Sequence, residues 1–218
     1  MKFDLHIHST YSGDAENTLK DISREIERKK IDGFAVVDHN SLEGYNKIKN
    51  LDTDLIIVPG VEVSAPEGHI LALGLQEEIG RQESVKEAID VIREHGAIAV
   101  AAHPYRLWSG IGEKVTIEND WDAIEGINGR SWRIRNLQAQ KLAEELRLPI
   151  IGGSDSHRPK TIGKTYTTVD NAFGWEDVIE SIKKGKTGVG GDHRYLIQTF
   201  FYVRRAVWGW IKRGGQSI

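Results

Sequence analysis

Apolar and polar positions alternate from the amino terminus, with Phe3, Leu5 and Ile7 interleaved with Asp4, His6 and His8. This is the period-two signature of a strand with one buried face. His6 and His8 then project from the same face, roughly 6–7 Å apart at ~3.3 Å per residue, close enough for two imidazoles to share one metal ion. A polar, glycine-containing loop over 9–14 leads to Thr18 and Asp21, which suit a helix start, and Ile22, Ile26 and Ile31 carry that helix toward Gly33. Residues 34–37 form a short apolar run that reads as a buried strand and ends in Asp38-His39-Asn40.

The same pattern recurs down the chain. A helix over 42–48 precedes a strand over 55–58, with Gly60-Val61-Glu62-Val63-Ser64 at its far end, and residues 69–73 form another strand beginning at His69. An amphipathic helix over 85–94 stops at Gly96, and a strand over 97–102 ends in His103-Pro104-Tyr105-Arg106. Residues 107–120 read as a loop over the site, followed by a strand over 123–128 and a helix over 133–146. A strand over 149–151 ends in Gly152-Gly153-Ser154-Asp155-Ser156-His157, residues 166–169 are β-rich, and 175–184 are helical.

Strands alternating with helices imply parallel pairing, and six or seven such units suit a closed or nearly closed α/β barrel with its helices outside. The carboxyl ends of its strands would share one mouth, where Asp38-His39, His103 and Asp155-His157 fall. No repeat or linker divides residues 1–194, which read as one domain. Over 195–218, Leu196, Phe200, Val203, Val207 and Trp210 recur at helical spacing. That pattern predicts a closing helix packed on the barrel or extending from it. Trp208 and Trp210 beside Arg204 and Arg205 keep a membrane-surface or partner helix as the alternative.

The 218 residues suffice for a substantial core, and with 39% hydrophobic and 28% charged residues the chain reads as a globular protein with no membrane span and no secretory signal, placed in the cytoplasm. The absence of cysteine excludes disulfides, thiolate zinc sites and cysteine nucleophiles, so any metal must be held by imidazole and carboxylate. A formal net charge of -3 argues against a large nucleic-acid-coating surface, while leaving room for a local cationic funnel.

Six of the eight histidines fall at strand starts or ends: His6, His8, His39, His69, His103 and His157. His95 instead reads as a helix carboxyl-terminal residue complementing the dipole, and His193 as a cap or surface residue. The order His6-x-His8, Val37-Asp38-His39, Gly60-Val61-Glu62-Val63-Ser64, Ala102-His103-Pro104 and Gly153-Ser154-Asp155-Ser156-His157 resembles the PHP family, the polymerase and histidinol phosphatase phosphoesterases, in its short stand-alone form. The resemblance implies a distorted (β/α)7 TIM-like barrel with two or three divalent ions at its mouth. Carried over by position, His6, His8, Glu62 and Asp155 hold one ion, and Glu62 bridges to a second completed by His69 and His103. His39 and His157 hold a third with Asp14, for which Asp38 or Ser12 is the alternative as a group that hydrogen-bonds a ligand; His69 reads otherwise as a half-buried strand residue.

Imidazole with carboxylate suits Zn, Mn or Fe without choosing among them. A carboxylate bridge holds two ions near the ~3.5–4 Å separation of two-metal hydrolases, and a shared water then loses a proton near neutral pH, so that hydroxide would attack phosphorus in line. Asp155 or His157 would guide the proton to the leaving oxygen. Among the arginines starting near the mouth, Arg106 comes first and Arg130 second as phosphate ligands, since guanidinium matches phosphate oxygens in a planar fork. The expected substrate is a small phosphomonoester, or a nucleotide or short oligonucleotide diester. Two rivals stand beside this reading: an amidohydrolase-like carbon–nitrogen hydrolase using the same metals, and a non-catalytic metal-binding module that serves a partner through the tail.

Overall fold

The computed structural model of the chain describes residues 1–107 and 109–192. The expected tail helix over 195–218, His193 and Trp108 lie outside the described residues. Strand β1 (Lys2–Ile7) pairs in parallel with β2 (Gly33–Val36), which pairs in parallel with β3 (Ile56–Val58). On its other side β1 is antiparallel to β9 (Thr165–Val169), itself antiparallel to β10 (Thr187–Gly191), giving a five-stranded sheet in the order β10-β9-β1-β2-β3. A second sheet takes β4 (Gly60–Ala65), β5 (Gly68–Leu73), β6 (Ile98–Ala101), β7 (Ala123–Asn128) and β8 (Ile150–Gly153) in chain order.

Two strand directions depart from the all-parallel expectation. Gly60 to Ala65 and Gly68 to Leu73 are joined by Pro66-Glu67 alone, too short for a crossover, so β4 and β5 pair antiparallel with Glu62 opposite Leu71 and Ser64 opposite His69. β5 is antiparallel to β6 as well, and within this sheet only β6, β7 and β8 pair in parallel. β10 escaped the periodicity because Thr187-Gly188-Val189-Gly190-Gly191 carries a single large apolar side chain; tertiary pairing makes it a strand.

The ladders alone give two mixed sheets and not a closed ring. Backbone stitches join them on both sides of one end. On one side the His8 and Ser156 segments exchange hydrogen bonds, His8 N to Ser156 O at 3.0 Å and Ser156 N to His6 O at 3.4 Å. On the other, Asn40 N donates to Glu62 O at 3.0 Å and Glu62 N to Asp38 O at 3.3 Å.

The helices follow from their stripes and caps. α1 (Leu19–Arg28) starts in a reciprocal capping box between Thr18 and Asp21 and buries Ile22 and Ile26; such a cap contributes about 1 kcal/mol, and each buried isoleucine about 1.5–3 kcal/mol. α3 (Val85–Glu94) is capped by Ser84, buries Val85, Ala88, Ile89 and Ile92, and is followed by Gly96 at φ 75°, where a side chain would be strained. α2 (Glu43–Ile48), α5 (Arg133–Leu146) and α6 (Trp175–Lys183) match the predicted helices within a residue. α4 (Glu113–Glu118) lies inside the stretch read as loop, because one and a half turns cannot display a periodic stripe.

β1 differs from its expectation in one respect that matters. Both of its faces are buried, with Phe3, Leu5 and Ile7 in apolar core and Asp4, His6 and His8 equally inaccessible on the other side. The polar face of this strand is therefore an interior surface, and its charges must be matched by protein groups or ions.

Candidate metal centre

Every residue proposed from the sequence as a metal ligand reaches one end of the two sheets. β1 presents His6 and, one residue beyond its end, His8; the turn after β2 presents His39; β4 carries Glu62 mid-strand; and the turns after β6 and β8 carry His103 and Asp155 to His157. His69 arrives differently from the others. Because β5 runs antiparallel, its start and not its end lies beside Ser64 at the far end of β4, which brings the imidazole to Glu62. His95 stays apart, with Nδ1 2.8 Å from Val91 O at the end of α3, as a helix carboxyl-terminal residue should.

Glu62 is the hub. Its Oε1 lies 3.0 Å from His103 Nε2, 3.1 Å from His69 Nδ1 and 3.5 Å from His6 Nε2. Its Oε2 lies 3.1 Å from both His8 Nε2 and His39 Nδ1. Two carboxylate oxygens thus face five imidazoles from both sheets, while His6 Nε2 and His8 Nε2 stand only 3.1 Å apart. Asp155 completes the inner group at 3.6 Å from His8 Nε2 and 3.9 Å from His6 Nε2. The outer group is half-exposed: Asp14 Oδ2 is 2.8 Å from His157 Nε2 and 3.7 Å from His39 Nε2. Ser12, weighed as an alternative to Asp14, has a different place, its Oγ 3.0 Å from His8 Nδ1 and accepting from His39 N at 3.2 Å. Asp38 is also buried away from the cluster, accepting from Ser9 N and Ser9 Oγ at 2.6 Å each.

The electrostatics are those of a buried charge cluster. Burial opposes ionisation of Glu62, yet His6 and the hydrogen bonds of His103, His6 and His69 hold its carboxyl well below the usual carboxylate range. Asp155 is likewise held low against burial, by Arg106 first and Arg130 second. Burial works against a charged His6, but Glu125, Asp155 and Glu62 raise it well above an ordinary imidazole, and His39 is raised against burial by Asp14 and Glu62. His8 goes the other way, lowered to about 3 chiefly by burial, and so keeps a neutral ring with a lone pair to offer.

Both arginines singled out from the sequence converge on Asp155. Arg106 Nη1 donates to Asp155 Oδ2, and Arg130 Nη1 donates to Asp155 Oδ1 at 3.1 Å and to the His157 ring at 2.8–2.9 Å. Each is 22% exposed, so the guanidinium groups stand at the rim, between the cluster and solvent. Arg158, by comparison, pairs with Glu16 at 3.6 Å and is more exposed. Trp121 packs in the core with its indole N–H donating to Thr116 O at 3.1 Å.

Sequence reasoning passed over two buried acids. Asp4 accepts from Ser154 N and Gly163 N at 2.7 Å each, tying β1 to the segment that carries Asp155; burial raises its carboxyl to about 6. Glu125 sits mid-strand in β7 and contacts His6. The available signal was an acid in the centre of an otherwise apolar strand, which an interior position tolerates only when paired.

The fit of β8 against β1 sets the place of His6. A Cβ added at Gly153 would lie 2.3 Å from His6 Cβ and 2.7 Å from its backbone nitrogen. Gly153→Ala is therefore expected to displace His6 and to lower stability by about 1–3 kcal/mol, the range for overpacking. Thermal unfolding and metal content of the purified variant, both unchanged, would show the contact to be slack.

The donor set fits divalent cations. It is entirely imidazole and carboxylate, in a chain without cysteine, and four overlapping groups bring one ligand-capable atom per residue within 4.8 Å of one another: His6, Glu62 and His103; His6, His8 and Asp155; His39, Glu62 and His69; and His8, Asp14, His39 and His157. Five imidazoles cannot all donate protons to one carboxylate, and cations placed among their ring nitrogens and the carboxylate oxygens would satisfy those lone pairs.

Known proteins share both the fold and the sequence. The chain superposes with a TM-score of 0.68 on a two-domain protein from Bacteroides vulgatus that contains a predicted PHP-like metal-dependent phosphoesterase, at 20% identity over 88% of this chain and 64% of that one, so it spans less than two thirds of that protein. It superposes with a TM-score of 0.63 on an amidohydrolase from Chromobacterium violaceum with bound sulfate, at 18% identity over 75% of this chain and 90% of the other. Residues 133–187 match the profile of the PHP-associated family. An uncharacterized protein of Methanocaldococcus jannaschii, MJ1587, is 32% identical over 161 residues, covering 67% of this chain and 94% of its own length. A relative of nearly full length at that identity, joined to a profile match and to ligand motifs that keep their order and meet at one rim, makes this chain a member of the PHP family.

Proposed function

We propose that the protein is a metal-dependent phosphoesterase whose metal ligands are His6, His8, Asp14, His39, Glu62, His69, His103, Asp155 and His157. The observation that carries this reading is the single buried carboxylate of Glu62, whose two oxygens lie within 3.5 Å of five imidazoles drawn from both sheets. Zn, Mn or Fe, two or three ions in all, would supply Lewis-acid polarisation of phosphoryl oxygens and an activated water. Glu62 would serve as the bridging ligand, and Asp155 as a ligand of the inner group.

Arg106 and Arg130 would orient the phosphate, offering N–H groups to its non-bridging oxygens at the rim. His157, less deeply buried than Asp155, would hand a proton to the leaving oxygen through the ring nitrogen that holds no ion. We assign residues 1–194 to this unit and read the two stitched sheets as the halves of a distorted (β/α)7 barrel. The net charge of -3 favours a small phosphorylated substrate, a monoester or a nucleotide or short oligonucleotide, over long nucleic acid. Among the described residues no helix is long and apolar enough to cross a membrane.

The resemblance in fold to a protein described as an amidohydrolase keeps the carbon–nitrogen rival in the test, while the sulfate bound to that protein is a phosphate-shaped anion. Purified protein loaded separately with Zn, Mn and Fe and offered a colorimetric phosphomonoester, a phosphodiester and a simple amide is expected to release phosphate or cleave the diester in a metal-dependent way and to leave the amide intact. Amide cleavage without phosphoester cleavage would transfer the reading to the rival, and no hydrolysis beside tight metal binding would favour the non-catalytic module.

A further inference from the structure

Glu125 is a buried acid that the ligand scheme above does not use. It is 1% exposed, in the middle of β7, and the ionisable ring it faces is that of His6. Its Oε1 lies 2.9 Å from His6 Nδ1, and its Oε2 accepts from the backbone N–H of His103 at 2.8 Å. Asn128 Nδ2 donates to both oxygens at 3.1 Å and also to Asp155 Oδ2 at 3.1 Å. Every partner of Glu125 that can be assigned without a choice is a donor, so both oxygens act as acceptors.

The consequence falls on His6. With Nδ1 2.9 Å from a carboxylate, Nδ1 is the ring nitrogen that keeps its proton, so that once His6 gives up its second proton the lone pair of Nε2 points at Glu62, Asp155 and His8. The same carboxylate pins His103, whose φ of 29° lies in the left-handed region, although the residue before a proline is ordinarily extended. One acid on β7 thus sets the tautomer of one candidate ligand and the backbone of another, from a strand that supplies no candidate ligand itself.

Resting on the phosphoesterase reading above, we propose that Glu125 is a positioning residue that fixes the Nδ1–H tautomer of His6 and the turn at His103, and so sets the affinity of the inner metal site. Glutamine cannot replace it. In either orientation its amide turns an N–H group toward a donor, toward His103 N–H in one and toward His6 Nδ1 in the other; the second shifts the ring proton onto Nε2, where the ion would bind.

The test compares the whole wild-type chain with Glu125→Gln by competition with a graded chelator, reading Zn affinity, and by 15N NMR of the imidazole rings, reading the His6 tautomer. The expected result is Zn affinity lower by about 10–100-fold in the variant, with His6 protonated at Nδ1 in the wild type and moved to Nε2 in the variant. A Zn affinity within threefold of wild type, or a wild-type His6 that carries its proton on Nε2, would overturn the inference. The tautomer in the wild type is read without any variant, so a variant that fails to fold leaves that arm decisive. A wild type that binds no Zn, Mn or Fe would overturn the proposed function, whereas tight wild-type binding left unchanged by Glu125→Gln would overturn this inference alone.

Discussion

Glu62→Gln is expected to reduce phosphoester turnover by about 10²–10³-fold, the scale on which electrostatic stabilisation of developing charge is lost when the ions that would supply it are no longer held, and to lower the number of ions retained through gel filtration. The reason lies in the count of partners around one side chain. Both oxygens of Glu62 are engaged, Oε1 with His6, His69 and His103 and Oε2 with His8 and His39. An amide keeps the shape but removes the charge and turns an N–H group into a cluster of lone pairs. Backbone contacts around β4 do not depend on this side chain, so the variant should fold. A variant as active as wild type with reduced metal content would refute the bridging role, and one with full metal content and no activity would move Glu62 from ligand to direct participant.

Exhaustive chelation should abolish hydrolysis and also lower thermal stability, an effect with a structural origin. The candidate ligands come from β1, β4, β5 and the turns after β2, β6 and β8, and between the described parts of the two sheets the ladder pairing is replaced by short stitches at Ile7–Ser156 and His39–Glu62. Ions held by both sheets would fasten them where main-chain pairing is thin. At a thousandfold excess of ion over Kd, linkage contributes about 4 kcal/mol, which for a chain of this size corresponds to roughly 8–16 °C in Tm. Acid should mimic the chelator. His6 and His39, raised by their carboxylate neighbours, take up protons first as pH falls, whereas His8 stays neutral until about 3. Each proton that must leave for an ion to bind weakens apparent affinity about tenfold per pH unit on the acid side and leaves it unchanged on the alkaline side. Melting curves with and without chelator between pH 5 and 8 test both statements; a Tm indifferent to chelator would remove the ions from the fold.

Residue order along the chain made much of the site legible. A His-x-His in a strand, followed by His39, His103 and the Asp155-x-His157 pair at the ends of apolar runs, carries a local signal, because a buried strand of branched residues must stop before polar groups can face a ligand; Glu62 lies within a strand. The helices over α1 and α3 were readable for the same kind of reason, since their caps and stripes lie within a few residues of each other. Three features lay beyond that reach. The reversal of β5 depends on a two-residue connection whose short span forbids a crossover, and it puts His69 at the site from the opposite end of a strand. β10 exists only because β9 offers it an edge. Glu125 looks from the sequence like one acid in a strand.

By itself, then, the sequence determined which residue types gather and in what order, because alternation, capping and the absence of thiols are properties of near neighbours. Tertiary structure alone decided that five imidazoles converge on Glu62, that Arg106 and Arg130 share Asp155, and that Glu125 stands behind His6, 119 residues away along the chain. Such pairings join segments that no short-range rule connects, and they are selected when charges buried on the inner faces of both sheets have to find partners within hydrogen-bond reach.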